Sequence, residues 1–193
     1  MKSCAGSGKR EKVAIEVEKK FCLTKEQRAA VLERLAKIGA SLKGNEFEEN
    51  VLYEGNQIDP TKAVLRLRRV GKHGFLTFKQ RAPTNSDIKY RQEDETQVAD
   101  ADAMDAILKD LGYTPSLVYE KRRMTWELGN GEIVVDDLPF GLFMEIEGPE
   151  AEINEIEQKL DIQDLKVEHA TYPTLTRIHG KKRDDGVIES RFD

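Results

Sequence analysis

Hydrophobic and polar positions along the chain alternate in short stretches and switch period several times. From Val13 to Phe21 the sequence VAIEVEKKF puts Val13, Ile15, Val17 and Phe21 on one face and Glu16, Glu18 and Lys20 on the other, which predicts a strand. Thr24 and Gln27 then form a capping box ahead of a 3.6-residue pattern, Val31, Leu35 and Ile38, that stops near Gly39. Strands follow over Phe47–Tyr53, Ala63–Val70, Phe75–Arg81 and Ile88–Val98. The last of these is polar on both faces, with Lys89, Arg91, Glu93 and Glu95 on one and Gln92, Asp94 and Thr96 on the other.

A second amphipathic helix carries Met104, Ile107, Leu108 and Leu111 and stops at Gly112. Three more strands span Leu117–Leu128, Glu132–Leu138 and Leu142–Gly148, the first two joined at Asn130-Gly131, a hairpin signal. A third helix begins at Pro149 with Ile153, Ile156 and Leu160 aligned, and a short one covers Tyr172–Ile178. No linker interrupts this order. The chain reads as one α+β domain over residues 13–179, with a flexible N-terminus at 1–12 and a disordered tail at 180–193.

Composition narrows the function. Charged residues make up 35% of the 193, above the ~25% of ordinary soluble domains, yet no like-charged block marks a long disordered segment. The net charge of -5 argues against nucleic acid and against an anionic membrane surface. No apolar run reaches membrane-spanning or signal-peptide length, which points to the cytoplasm. Cys4 and Cys22 have no metal-ligand spacing and His73, His169 and His179 do not pair, so zinc and a disulfide framework are excluded. Gly6-Ser7-Gly8-Lys9 lacks the following Ser or Thr and the preceding strand of a phosphate-binding loop.

The strands pose a question that composition does not answer: where their charged faces go. If helices cover the apolar faces, the sheet can curl into an antiparallel barrel whose interior is lined by charge. The acids Glu16, Glu18, Glu93, Glu95, Glu132, Asp136, Glu145 and Glu147 would face inward, together with the bases Lys20, Arg66, Arg68, Lys79, Arg81, Lys89, Arg91, Lys121 and Arg123. The acids fall on the first, fifth and last two strands and the bases mostly between. Like charges ~4 Å apart repel by about 4 kcal/mol at an effective dielectric near 20, so such clusters call for counter-charge from outside the chain, divalent cations on one side and a polyanion on the other.

Glu16-Val17-Glu18-Lys19-Lys20 matches a Glu-x-Glu-x-Lys pattern. It is followed in order by Arg66 and Arg68 in LRLRR, Lys79 in TFKQR, Arg91, Glu93 and Glu95 in YRQEDE, Lys121 and Arg123 in YEKRR, Asp136 in VVDD, and Glu145 and Glu147 in FMEIEG. This series resembles the CYTH superfamily, the triphosphate tunnel metalloenzymes, over roughly Val13 to Ile178.

The resemblance implies a barrel whose lumen binds a triphosphate with Mg2+ or Mn2+. Glu16, Glu18 and Glu147 would hold a first metal, and Glu93 or Glu95, Asp136 and Glu145 a second, nearer the attacking group. Oxygen donors suit either ion. Lys20, Arg66, Arg68, Lys79, Arg91, Lys121 and Arg123 would bind phosphates, with Lys20, Glu93, Glu95 and Asp136 also taking part in catalysis. The substrate would be inorganic triphosphate, thiamine triphosphate or ATP. Class IV adenylyl cyclases resemble the stretch LGYTPSLVYEKRR but typically carry a His-Phe pair where this chain has Arg10 and Glu11. Triphosphate hydrolysis is therefore the leading expectation, ahead of a cyclase and of a non-catalytic triphosphate or polyphosphate binder. Tyr172, in TYPTLTR, either plugs one end of the tunnel or packs against the barrel, and an exposed strand edge leaves room for a homodimer.

Overall fold

The computed structural model describes residues 15–55, 58–81 and 89–193. The elements run β1 (Ile15–Leu23), α1 (Lys25–Lys37), β2 (Ser41–Glu54), β3 (Ala63–Val70), β4 (His73–Arg81), β5 (Lys89–Val98), α2 (Ala101–Asp110), β6 (Thr114–Leu128), β7 (Gly131–Leu138), β8 (Gly141–Glu147), α3 (Glu150–Leu160), α4 (Tyr172–His179), β9 (Lys181–Lys182) and β10 (Ile188–Ser190). Strands β2-β3-β4-β5-β1-β8-β7-β6 are neighbours in that order, and β6 pairs back onto β2. Eight strands thus close into a ring, antiparallel at every junction. A barrel of about this size has room inside for side chains or one small ligand.

Local chemistry sets the elements as the sequence predicts. The Thr24 hydroxyl accepts from the Gln27 amide at 3.2 Å and the Gln27 side chain accepts from the Thr24 amide at 2.8 Å, completing the capping box of α1. The β6–β7 hairpin differs by one residue from the expectation. Its turn is Gly129-Asn130, with Gly129 at φ +61°, as a first central turn position with positive φ requires. Gly131 instead begins β7, and a Cβ there would lie 2.3 Å from Ile156 Cδ1. Glycine lets α3 seat directly on the strand.

Period two then divides the barrel into an outside and an inside. Outside, α1 and α3 cover β1, β6, β7 and β8 around Val31, Leu35, Ile133, Met144, Ile146, Ile153, Ile156 and Leu160. Helix α2 covers β2, β3 and β4 around Val51, Tyr53, Leu65, Leu67 and Leu108. On β5, Asp94 and Thr96 are exposed, which explains why its outer face carries no hydrophobic signal.

Inside, a third apolar cluster joins Leu52, Leu117, Tyr119, Leu138 and Phe143 to Tyr172 and Leu175 of α4. Helix α4 therefore plugs one end of the barrel, which decides between the two readings of Tyr172. Strand by strand, the inward residue at this plug is apolar and the next ones are polar: Leu52 then Asn50 and Glu48, Phe143 then Glu145 and Glu147, Val64 then Arg66 and Arg68.

The tail corrects the expectation of disorder. Strand β10 pairs parallel with β6 at Leu117–Tyr119, and β9 pairs with β10. Arg191 then holds Glu49 at 2.7 Å and Glu120 at 2.6 Å on the barrel's outer wall. The polar run KKRDDG supplies β9 with Lys181 and Lys182 and most of the tight return that follows it.

Ile146 and Glu147 are consecutive on β8 and face opposite ways, since Ile146 is fully buried in the outer cluster while Glu147 lines the lumen. Ile146→Ala is expected to lose about 2–5 kcal/mol of unfolding free energy through lost burial and a cavity. Glu147→Gln should change it by less than about 1 kcal/mol, and urea melts of the two variants measure the difference.

Candidate active site

The lumen holds a cavity of about 560 Å³ lined by charge from seven strands and by Thr171, Tyr172 and Pro173 at the plug. Glu18, Lys20, Arg66, Arg68, Lys79, Glu93, Glu95, Lys121, Arg123, Glu132, Glu145 and Glu147 all reach it. The strands bring these distant positions together by register. Glu18 of β1 sits opposite Glu147 of β8, which sits opposite Glu132 of β7. Directly opposed residues share a face, so three carboxylates form one row across three strands, an arrangement that like-charge repulsion disfavours without a cation.

Cations and carboxylates of the lumen pair with each other, which corrects the expectation that they stand in separate clusters. Lys79 reaches Glu93 at 2.6 Å, and Arg66 reaches Glu93 and Glu95 at 3.8 and 3.5 Å. Arg68 contacts Glu95 at 3.0 Å. Lys20 meets Glu145 at 3.2 Å, and Arg123 meets it at 2.9 Å.

Asp136 is fully buried behind Arg123. Its Oδ1 accepts from Arg123 Nε at 2.7 Å, and its Oδ2 accepts from Arg123 Nη2 and from the Tyr172 hydroxyl at 2.8 Å. Burial alone would weaken the Arg123 proton's hold, but Asp136 overcomes this and keeps the guanidinium charged with its pKa well above the ordinary value. Lys121 is sealed from water, and burial followed by the Arg123 charge lowers its pKa despite Asp136, Glu48 and Glu145. The Tyr172 ring lies 3.9 Å from Lys20 Nζ and 5.5 Å from Lys121 Nζ, so the plug also presents a π face to two cations. Burial, then Asp136 and Glu145, hold the Tyr172 phenol well above its usual pKa, protonated as a donor.

The sequence reading did not include Glu48. Its side chain is 2% exposed and meets Lys121 at 3.3 Å and Arg68 at 3.6 Å, with the Asn50 amide donating to it at 3.5 Å. Burial would raise its pKa, but Lys121, Arg123, Arg68 and Arg66 together bring it from 4.5 down to about 2. Glu48 was missed because β2 reads EFEEN there, with carboxylates on both faces and the large apolar Phe47 pointing outward, 47% exposed. Four readings fall outside the described side chains: Glu16, Arg81, Lys89 and Arg91. Only their backbones are placed, with Glu16 opposite Arg91 between β1 and β5 and Arg81 opposite Arg91 between β4 and β5.

Could these residues hold a divalent metal? Among the described residues no three Asp, Glu, His or Cys side chains converge on one metal position. The donor chemistry nevertheless fits, because the row Glu18, Glu147 and Glu132 is all oxygen and adjacent by register, and hard oxygen donors select magnesium or manganese over softer ions.

The model of the CYTH domain family matches residues 14–172. The chain belongs to the CYTH family. Among solved structures similar to this CYTH protein, a conserved hypothetical protein of Pyrococcus furiosus is 26% identical with a TM-score of 0.69, over 81% of this chain and 97% of that one. A protein of Pyrococcus horikoshii is 24% identical with a TM-score of 0.71, over 81% and 96%. A Hippeastrum protein, described as an adenylyl cyclase candidate with a dominant triphosphatase activity, shares the fold at 15% identity and a TM-score of 0.68, over 85% and 95%. No curated protein matches the chain. Among the described residues of this CYTH protein no helix is long and apolar enough to cross a membrane.

Glu48→Gln should lower the stability of this CYTH domain at neutral pH by roughly 3 kcal/mol, because Lys121 and Arg68 lose a buried partner. A carboxylate whose pKa falls on folding contributes stability that is full above pH 4.5 and is lost as the pH drops toward about 2. Urea melts between pH 2 and 6 should therefore show a shallower acid-side loss in the variant than in the wild type.

Proposed function

We propose that this protein is a metal-dependent triphosphatase that cleaves the terminal phosphate of an inorganic or organic triphosphate inside the barrel. The observation that carries this reading is the lumen itself. Six cations, Lys20, Arg66, Arg68, Lys79, Lys121 and Arg123, surround one cavity closed at one end by α4 and share it with carboxylates on neighbouring strands. A linear triphosphate carries its negative charge along its length and matches a wall of guanidinium and ammonium groups on several strands.

The residues divide by chemistry. Arg66 and Arg68 project side by side from β3 and suit bidentate contacts to phosphate oxygens, while Lys20, Lys79 and Lys121 act as point charges. Arg123 is fixed by Asp136, so we assign Asp136 a positioning role through Arg123 and not a direct contact with ligand. The row of Glu18, Glu147 and Glu132, joined by Glu16, would hold a divalent cation, and Glu145 with Glu93 or Glu95 a second. When bound, such ions supply further neutralisation of phosphoryl charge. Glu93 or Glu95 would accept the proton of the attacking water. Water adds to the terminal phosphorus, the bridging P–O bond breaks, and orthophosphate leaves with the shortened chain.

Hydrolysis is favoured over cyclisation on two grounds. The chain has Arg10 and Glu11 where class IV cyclases typically carry His-Phe. The described aromatic residues lining the cavity are Tyr119 and Tyr172, and both are engaged at the plug: Tyr172 lies against Lys20, and the two rings pack 6.3 Å apart. Neither offers an open face to a base.

Purified protein should release orthophosphate from tripolyphosphate, thiamine triphosphate or ATP with magnesium or manganese, lose activity in excess EDTA, and recover it when metal is restored. Arg66→Ala should lower kcat/KM by at least about tenfold. Cyclic AMP without orthophosphate would overturn the hydrolase reading in favour of a cyclase, and metal-dependent binding without turnover would do so in favour of a binder.

A further inference from the structure

The carboxylates placed to take a metal and the cations placed to take phosphate are already bonded to each other. Glu95 is the clearest case. One of its oxygens accepts from Arg68 Nη2 at 3.0 Å, and the other accepts from the Thr77 hydroxyl at 2.7 Å and lies 3.5 Å from Arg66 Nη2. Glu93 places one oxygen 2.6 Å from Lys79 and the other 3.8 Å from Arg66. Glu145 divides its two oxygens between Lys20 and Arg123. A phosphate oxygen entering the fork between Arg66 and Arg68 must detach Glu95 from both guanidiniums. A cation drawn to Glu95 must do the same from the other side.

We infer that these internal ion pairs couple the two ligands, so that the lumen takes a divalent cation and a triphosphate together and takes either one alone only weakly. The inference rests on the reading that both bind in the lumen. The ligand that arrives first meets the cost of parting carboxylate from guanidinium and leaves one set of groups without its partners in the partly exposed wall. The second ligand finds its groups already released. Linkage makes the effect reciprocal: whatever factor magnesium adds to triphosphate affinity, triphosphate adds to magnesium affinity.

Direct contact between a bound cation and phosphate oxygens would also give positive coupling, so coupling alone does not test the idea. The distinguishing variant is Glu95→Gln, which keeps the shape and a polar contact to Thr77 while removing the charge that holds Arg66 and Arg68. If the pairs restrain the lumen, Glu95→Gln should bind tripolyphosphate in EDTA on the order of tenfold more tightly than the wild type, by isothermal titration calorimetry, within the ~5- to 150-fold range usual for coupling between sites. Its gain from added magnesium should shrink correspondingly. Glu93→Gln should shift metal-free binding in the same direction through Lys79, and it serves as the test if Glu95→Gln fails to show a cooperative melt.

Wild-type protein that binds tripolyphosphate with magnesium, alongside folded Glu95→Gln or Glu93→Gln that binds it no more tightly than wild type without metal, would overturn the inference and leave the triphosphatase reading standing. Wild-type protein that binds no tripolyphosphate with or without magnesium, or an Arg66→Ala variant that binds it unchanged, would overturn the lumen reading and the inference with it.

Discussion

Closing eight strands into a ring forces every second residue of each strand into a shared interior, and in this chain most of those residues are charged. Everything else in the structure answers that constraint. A buried charge without a partner costs several kcal/mol, so the interior calls for opposite charges on neighbouring strands. The register achieves this over much of the wall. Lys121 of β6 stands opposite Glu48 of β2, Arg123 opposite Asp136 of β7, Lys20 opposite Glu145 of β8, and Lys79 opposite Glu93 of β5. A slip of one residue would turn these charges outward and bring the apolar outer face into the lumen.

Such an interior contributes little net stability, because well-formed buried ion pairs roughly offset their own desolvation. Stability must come from the other face. The two outer clusters under α1, α2 and α3 hold most of the large buried aliphatic residues, including the fully buried Leu35, Leu67, Ile133, Met144, Ile146, Ile153, Ile156 and Leu160, while Leu117 is equally buried at the plug. Fold and chemistry are thereby separated onto opposite faces of the same strands. Lys19 shows how strict the division is: between lumen-facing Glu18 and Lys20 it points outward and pairs with Glu157 of α3 at 2.8 Å.

Much of this was legible in the sequence because alternation is local. Arg66 and Arg68, or Glu145 and Glu147, declare their shared face within three residues, and the apolar positions between them declare the other. Contacts across the ring are not local. Nothing in EFEEN distinguishes Glu48 from Glu46 or Glu49, since its role depends on β2 meeting β6 across some 70 residues of chain. The same limit applies to Asp136: its inward face follows from VVDD, but its enclosure by Arg123 and Tyr172 follows from the hairpin and from α4. In the tail, the composition of KKRDDG suggested disorder, whereas the order of the segment comes from a ladder with β6 and from Arg191 reaching Glu49 and Glu120.

Helix α4 gives the lumen a direction. Its apolar side seals one end against Leu52, Leu117 and Phe143, while Tyr172 sends its hydroxyl past that seal to Asp136. From there a continuous chain of charge-assisted contacts runs through Arg123 to Glu145 and on to Lys20, whose ammonium returns to the Tyr172 ring and donates to the Ala170 carbonyl at 3.1 Å. The loop closes on the plug itself. Groups at this end are held from both sides, by the barrel wall and by α4, whereas Glu95, Arg66 and Arg68 are held by the wall, through β3, β4 and β5 and, for Arg68, Glu48 of β2 at 3.6 Å. Water excluded at the plug lowers the local dielectric and strengthens every pair in that loop. The pairs easiest for an incoming anion to part are therefore those on the β3–β5 wall, and the phosphate nearest the plug meets cations already fixed in place.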